Sequence, residues 1–163
     1  MGMQLPSELV SVLGVLGFTW PEGDEEKLFE LGNAWTRFAG SLTGQTADAT
    51  AHAQNVWQVN VSDTTSAFEE AWKSAKGPIH SLDDAARTCE LIGVGLMVCA
   101  GIVLALKISV IVQLITLVIE IAQAIATAVV TFGASLAEIP IFRAITKLIL
   151  DQLLNLAISK VMA

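Results

Sequence analysis

Large apolar residues recur along most of this chain at spacings of three and four, the period of a helix face. Tyr is absent and no hairpin dipeptide separates two alternating runs, so strands are not expected. The first long run follows Trp20-Pro21-Glu22-Gly23. Asp24 is its N-cap candidate, and Glu25 and Glu26 suit the positive end of a helix dipole. Leu28, Leu31, Trp35, Phe38 and Leu42 then form a heptad seam, continued by Ala49 and Val56. From Gly40 the residues shrink to Gly, Ser, Thr and Ala, a composition that stays helical only against a closely packed partner. Trp57–Asp63 interrupts the seam. Ser62 or Asp63 caps a second arm that carries Phe68, Ala71, Trp72, Ala75, Ile79 and Leu82. Two seams joined by a short turn predict an antiparallel helical hairpin. Gly77-Pro78 predicts a kink or break in its second arm, because Pro removes a backbone donor and clashes with the preceding turn.

Residues 81–131 read as one helix, roughly 75 Å long if straight, with Gly93, Gly95 and Gly101 as places to bend. Phe132-Gly133-Ala134-Ser135 is a stop, with Gly133 as C-cap, and Pro140 opens a final helix over about 139–161. The long helix is nearly free of charge: Lys107 and Glu120 are the only charged residues between 91 and 137. Its uncharged runs fall short of the roughly 20 residues that a bilayer span needs. Ser109, Gln113, Thr116, Glu120, Gln123 and Thr127 advance by three and four and form one narrow polar stripe, while the other faces are apolar. Two readings follow. The helix is buried on most sides in a bundle, with the stripe meeting water or a polar partner. Alternatively it enters a membrane with the stripe turned inward, toward a partner helix or an aqueous path.

Composition sharpens this choice. The chain has 163 residues, 53% of them apolar and only 15% charged, and a net charge of -7. An average soluble domain carries about 25% charged residues, so something besides water is expected to cover part of this surface. The net acidity argues against nucleic acid as a partner, because phosphate binding needs a basic face. All of the excess negative charge lies in residues 1–88, while 89–163 are balanced. A single helical domain over 1–163 is expected, with a hairpin region at 19–88 and apolar helices over 89–163. No basic residue precedes Lys27 and the apolar stretch Leu9–Phe18 is short, so a Sec signal is not expected.

Candidate chemistry is sparse. Cys89 and Cys99 lie ten residues apart, too far along one helix for a disulfide, and read as buried free thiols. His52 and His80 sit in different segments without metal-ligand spacing, and no nucleophile elbow, phosphate loop or HExxH occurs. Neither catalysis nor a cofactor nor a metal is expected. The aromatic set Trp35, Phe38, Trp57, Phe68 and Trp72 reads as hairpin core, and as a docking surface wherever the hairpin cannot bury its own seam.

The hairpin resembles the W-X-G family of type VII secretion substrates: Trp57-Gln58-Val59 in the turn, then Ala67-Phe68-Glu69-Glu70-Ala71-Trp72 in the second arm. Val59 stands where the family has Gly. The approach Trp20-Pro21-Glu22-Gly23-Asp24-Glu25-Glu26, with Leu28, Leu31 and Ala34-Trp35, looks like the long W-X-G-like domain at the N-terminus of actinobacterial polymorphic toxins. So does the turn Gly133-Ala134-Ser135-Leu136-Ala137-Glu138-Ile139-Pro140. The resemblance covers roughly residues 5–160. It implies an all-α, elongated bundle: a W-X-G-like hairpin plus a long apolar helix and a C-terminal helix. It implies a secretion-delivery module without enzymatic activity. Such a module is secreted or held at the cell surface by a non-Sec route. It pairs with a small helical W-X-G-type partner or with itself, and is recognised by type VII secretion machinery. The seam Leu28, Leu31, Trp35, Phe38, Trp57, Phe68 and Trp72 is then the partner-binding surface. The family's export tag, a Tyr-x-x-x-Asp/Glu after the hairpin, has no counterpart here, which implies that a partner supplies it or that export is indirect. In such proteins a toxin passenger follows the domain, so no toxic activity is assigned to these residues. The rival expectation is a pore-forming or translocating domain that inserts residues 91–131.

Overall fold

The computed structural model describes residues 2–162. It is all-α: α1 (Ser7–Val15), α2 (Glu25–Val59), α3 (Asp63–Lys73), α4 (Pro78–Thr127), a 3-10 helix (Ala134–Glu138) and α5 (Ile139–Met162). The helix starts read from the sequence are in place. Asp24 caps α2, its carboxylate accepting the Lys27 N–H at 3.1 Å. Ser62 rather than Asp63 caps α3, in a reciprocal box in which Ser62 Oγ accepts the Thr65 N–H and Thr65 Oγ1 accepts the Ser62 N–H. Pro78 starts α4, where its missing N–H is not needed. Gly133 does not cap the long helix as expected: α4 ends at Thr127, and Gly133, with a left-handed φ of 85°, is instead the N-cap of the 3-10 helix.

Two helices also differ from expectation. Helix α2 continues through Trp57 to Val59, so the turn is only Asn60–Ser62 and Trp57 belongs to the last helical turn. The Asn60 N–H still bonds back to the Val56 carbonyl at 3.1 Å, which keeps the helix wound past the tryptophan. Helix α1 was not expected from the sequence. It ends at Gly17, whose φ is 83°, with the Phe18 N–H reaching back to the Leu13 carbonyl.

The chain divides into two compact units. One is the hairpin, Leu28–Val98. The other joins the N-terminal segment through Lys27 with everything from Cys99 onward. In this second unit α1, α4 and α5 share a core of Leu13, Leu16, Val110, Leu114, Leu117 and Leu150.

In both long helices the buried positions keep a seven-residue beat. In α2 they are Glu25, Gly32, Ala39, Thr46 and Ala53. In α4 they include Ala86, Cys89, Gly93, Ala100, Lys107, Val110, Leu114, Leu117 and Ala124. Each set is a strict heptad seam, and from Glu25 to Ala100 the residues in it are mostly small.

Candidate functional site

Small residues set the geometry of the hairpin. Gly32 of α2 and Gly93 of α4 touch backbone to backbone: a Cβ built on Gly32 would lie 2.8 Å from the Gly93 carbonyl oxygen, and one on Gly93 would lie 2.8 Å from that of Gly32. Seven residues further along α2 and seven back along α4, Ala39 and Ala86 line one groove, so the two helices run antiparallel. Gly32→Ala should therefore destabilise the hairpin, because rigid backbone must move; overpacking of this kind costs about 1–3 kcal/mol. The control is Gly40→Ala, where a Cβ meets nothing within 4 Å. That change should gain about 1 kcal/mol of helix propensity. Chemical denaturation of the two variants checks the opposite signs.

Because small residues occupy the inner face, the large ones are displaced to its edge. Leu28, Trp35 and Trp57 are half-buried in α2, whereas Leu31 and Phe38 remain 48% and 51% exposed. Leu31, Ala34, Trp35 and Phe38 line a shallow apolar groove, with the Trp35 and Phe38 rings packed edge to face at 6.3 Å. The opposite edge of the hairpin is polar and lined by Thr36, Gly40, Thr43, Asp83, Arg87 and Glu90. The hairpin thus has one greasy flank and one wet flank.

The seven seam residues form two clusters. Trp57, Phe68 and Trp72 pack in sequence at the hairpin tip, successive rings tilted by about 50° with centroids 5.6 Å apart, and the Lys73 ammonium lies 5.5 Å from the Trp57 ring. Trp72 Nε1–H is buried there without a hydrogen-bond partner. Leu28, Leu31, Trp35 and Phe38 lie along α2, with Phe38 roughly 28 Å of helix rise away from Trp57.

The polar stripe of α4 sits beside the buried seam. Ser109, Gln113 and Glu120 are half-buried, while Thr116, Gln123 and Thr127 are exposed. Thr116 and Thr127 donate their hydroxyls to carbonyls of their own helix, those of Val112 and Gln123. The expectation that the remaining faces of this helix are buried does not hold within the chain. Ile108, Val112, Ile115 and Ile119 are all about half exposed. The core that α1, α4 and α5 share lies on the face through Leu114 and Leu117.

Lys107 is the feature that sequence reasoning missed. In sequence it is a charge interrupting an apolar helix; in the structure it is 2% exposed. Its ammonium donates all three hydrogens, to Glu25 Oε2 at 2.7 Å, the Gly23 carbonyl at 2.6 Å and the Met3 carbonyl at 3.2 Å. The Trp20 ring lies 5.8 Å from it, and Trp20 Nε1–H also donates to the Met3 carbonyl. Glu25 Oε1 in turn accepts the Met3 N–H. The hydrogen bond from Lys107, then that from Met3, holds the Glu25 carboxyl below the usual glutamate range. Glu25 is therefore more than a helix-dipole residue: it ties the N-terminal segment to α4. A lone Lys in an uncharged helix was the available signal, since a buried ammonium demands a counter-charge.

His52 and His80 are both exposed. Cys89 is buried and free; Cys99, expected to be buried, is half-exposed because it lies beside rather than on the α4 seam.

A family model described as a WXG100 like domain matches residues 4–148. No curated protein and no solved structure matches the chain.

Proposed function

The chain belongs to the WXG100-like family, and from that membership we propose that it is a non-catalytic delivery module of type VII secretion that works by docking helices. The greasy flank of the hairpin carries this reading. Leu31 and Phe38 are half-exposed beside Trp35 although the inner face has room only for small residues. An exposed apolar strip of this kind marks an interaction surface. The occupant is the hairpin of a small helical partner or of a second copy, and the complex rather than the isolated chain is what the secretion machine receives. The finer reading, in which the module escorts a toxin passenger, rests on the Trp20–Glu26 approach and the turn over 133–140.

Phe38→Asp tests it. The side chain is half in water, so folding should change by less than about 1 kcal/mol. Association with the partner, or self-association, should weaken at least about tenfold, because a charge is introduced at an aromatic anchor. Light scattering and pull-down with neighbouring small helical proteins read the result. Unchanged association in both Phe38→Asp and Leu31→Asp would end the proposal.

A second reading is favoured by one observation. The stretch Asp63–Thr127 is long and apolar enough to cross a membrane, and only 22% of its most apolar window is buried inside the chain. That reading predicts leakage of dye from liposomes at protein concentrations that leave the hairpin flank irrelevant.

A further inference from the structure

The turn that joins α4 to the last helical segment turns only apolar side chains outward. Helices α4 and α5 run antiparallel: Ser135 Oγ donates to the Ala124 carbonyl at 2.7 Å, Leu150 shares the core with Val110 and Leu114, and Ala157 lines a cavity with Ile102 and Ala105. Residues 128–133 therefore form one end of this pair. Val129 is 86% exposed, Val130 80% and Phe132 100%, so these side chains stand clear of the rest of the chain. No charged residue lies between Glu120 and Glu138.

The polar groups of the turn are directed inward. Thr127 Oγ1 donates to the Gln123 carbonyl, and Thr131 Oγ1 to the Thr127 carbonyl. The Val130 and Thr131 N–H groups bond to the Thr127 carbonyl, that of Gly133 to the Ala128 carbonyl and that of Ala134 to the Thr131 carbonyl. The Ser135 N–H donates to Thr131 Oγ1. A turn in water needs no such closure, because solvent satisfies its backbone. A turn that enters lipid needs it, because nothing else there can. Phe132 adds a second sign. Its φ of 52° lies in the left-handed region, which suits Gly or Asn and strains an aromatic residue. The strained residue holds its ring wholly outside the chain, where folding gains nothing from it.

The size of the tip decides what it meets. A standard protein interface takes roughly 800 Å² from each partner, well beyond what three side chains at one turn supply. A bilayer accepts a small protruding apolar tip and asks for no matching surface. We propose that Val129, Val130 and Phe132 form an interfacial anchor that enters a lipid bilayer to a depth of about 5–10 Å while the chain stays folded. No basic residue lies between Lys107 and Arg143, so the surface it fits is a neutral, zwitterionic one, entered by apolar insertion and not by charge. This anchor is separate from the hairpin flank and requires no passage of α4 across the membrane.

Flotation of the full chain with phosphatidylcholine vesicles, without detergent, tests it. Wild type should float equally well at low and high salt and leave an entrapped dye inside. Phe132→Asn should bind the vesicles at least about tenfold more weakly, because an aromatic side chain no longer enters the lipid. Its melting temperature should stay the same or rise, since Asn tolerates the left-handed backbone. A merely structural role for Phe132 would move the two readouts together. In a background with Cys89 and Cys99 replaced by Ala, an environment-sensitive dye on Val130→Cys should shift to the blue on vesicles, while the same dye on Ser66→Cys in the hairpin should not. A wild type that stays with the unbound protein would overturn the proposal. So would equal flotation of Phe132→Asn, which with dye leakage would assign the membrane contact to α4. A blue shift at Val130→Cys that grows with protein concentration in the absence of vesicles would assign the tip to a second copy. Phe38→Asp should float as wild type does; loss of flotation in that variant alone would move the contact to the hairpin flank and end this inference.

Discussion

Glu25→Ala is expected to remove about 3–5 kcal/mol of stability, the range for breaking a buried ion pair by deleting one partner. The direction comes from what is left behind. Lys107 is 2% exposed and its other two acceptors are backbone carbonyls, of Gly23 and Met3. Without Glu25 its full charge stays buried with dipoles alone to compensate it. Lys107→Met should be milder. The orphaned Glu25 still accepts the Met3 N–H and sits in the first turn of α2, where the helix dipole favours a negative charge. Replacing both together, Glu25→Leu with Lys107→Met, should recover most of the loss, since two matched charges are exchanged for two apolar groups. Thermal unfolding of the three variants checks the order. Against a total stability of about 5–15 kcal/mol for a domain, the single change alone should be conspicuous.

The same pair makes a pH prediction. Lys107 and the Met3 N–H hold the Glu25 carboxyl below the usual glutamate range. A group whose pKa is lower folded than unfolded adds stability above its unfolded value, about 4.3, and loses that contribution as the pH falls through the folded value. Wild type should therefore lose stability on acidification from about pH 5 to pH 3 more steeply than Glu25→Gln, and the gap between them should close. Asp24 is also held low by the Lys27 N–H that it accepts, but it titrates in both proteins and cancels in the difference. A gap independent of pH would show that the carboxylate charge is not what holds the N-terminal segment.

The starts of the long helices were legible because they rest on local chemistry. Asp24, Ser62 and Pro78 act on groups within a few residues of themselves, whereas the ends of α2 and α4 at Val59 and Thr127 were not read. What was not legible depended on long-range packing. Helix α1 has nine residues and is too short to hold itself in water, so it exists only because Leu13 and Leu16 dock against α4 and α5. The Lys107–Glu25 pair spans 82 residues of sequence. The inner face of the hairpin was misjudged for an instructive reason. Large residues at heptad spacing attract attention, yet the backbones of the hairpin meet at Gly32 and Gly93, where neither position has room for a Cβ. A seam of small residues lets backbones meet and leaves Leu31 and Phe38 on the edge. The shrinkage of residues after Gly40 implied a close partner there, but the close approach lies earlier, at Gly32, and a Cβ on Gly40 or Gly44 would meet nothing within 4 Å.

Leu114→Ala and Ile115→Ala should separate two faces that the sequence cannot distinguish. Both residues are aliphatic, adjacent and on the same uncharged stretch of α4. Leu114 is 0% exposed and belongs to the core with Leu13, Leu16 and Leu150 from two other helices. Truncating it removes buried methylenes and leaves a cavity walled on three sides, where little can collapse. Leu→Ala changes of this type cost about 2.7–5 kcal/mol. Ile115 is 45% exposed and points roughly 100° away around the helix, so the same truncation should cost the folded chain under about 1 kcal/mol. Chemical denaturation of the two variants at one protein concentration reads the difference. Equal losses would mean that Ile115 is as closely packed as Leu114, against its 45% exposure.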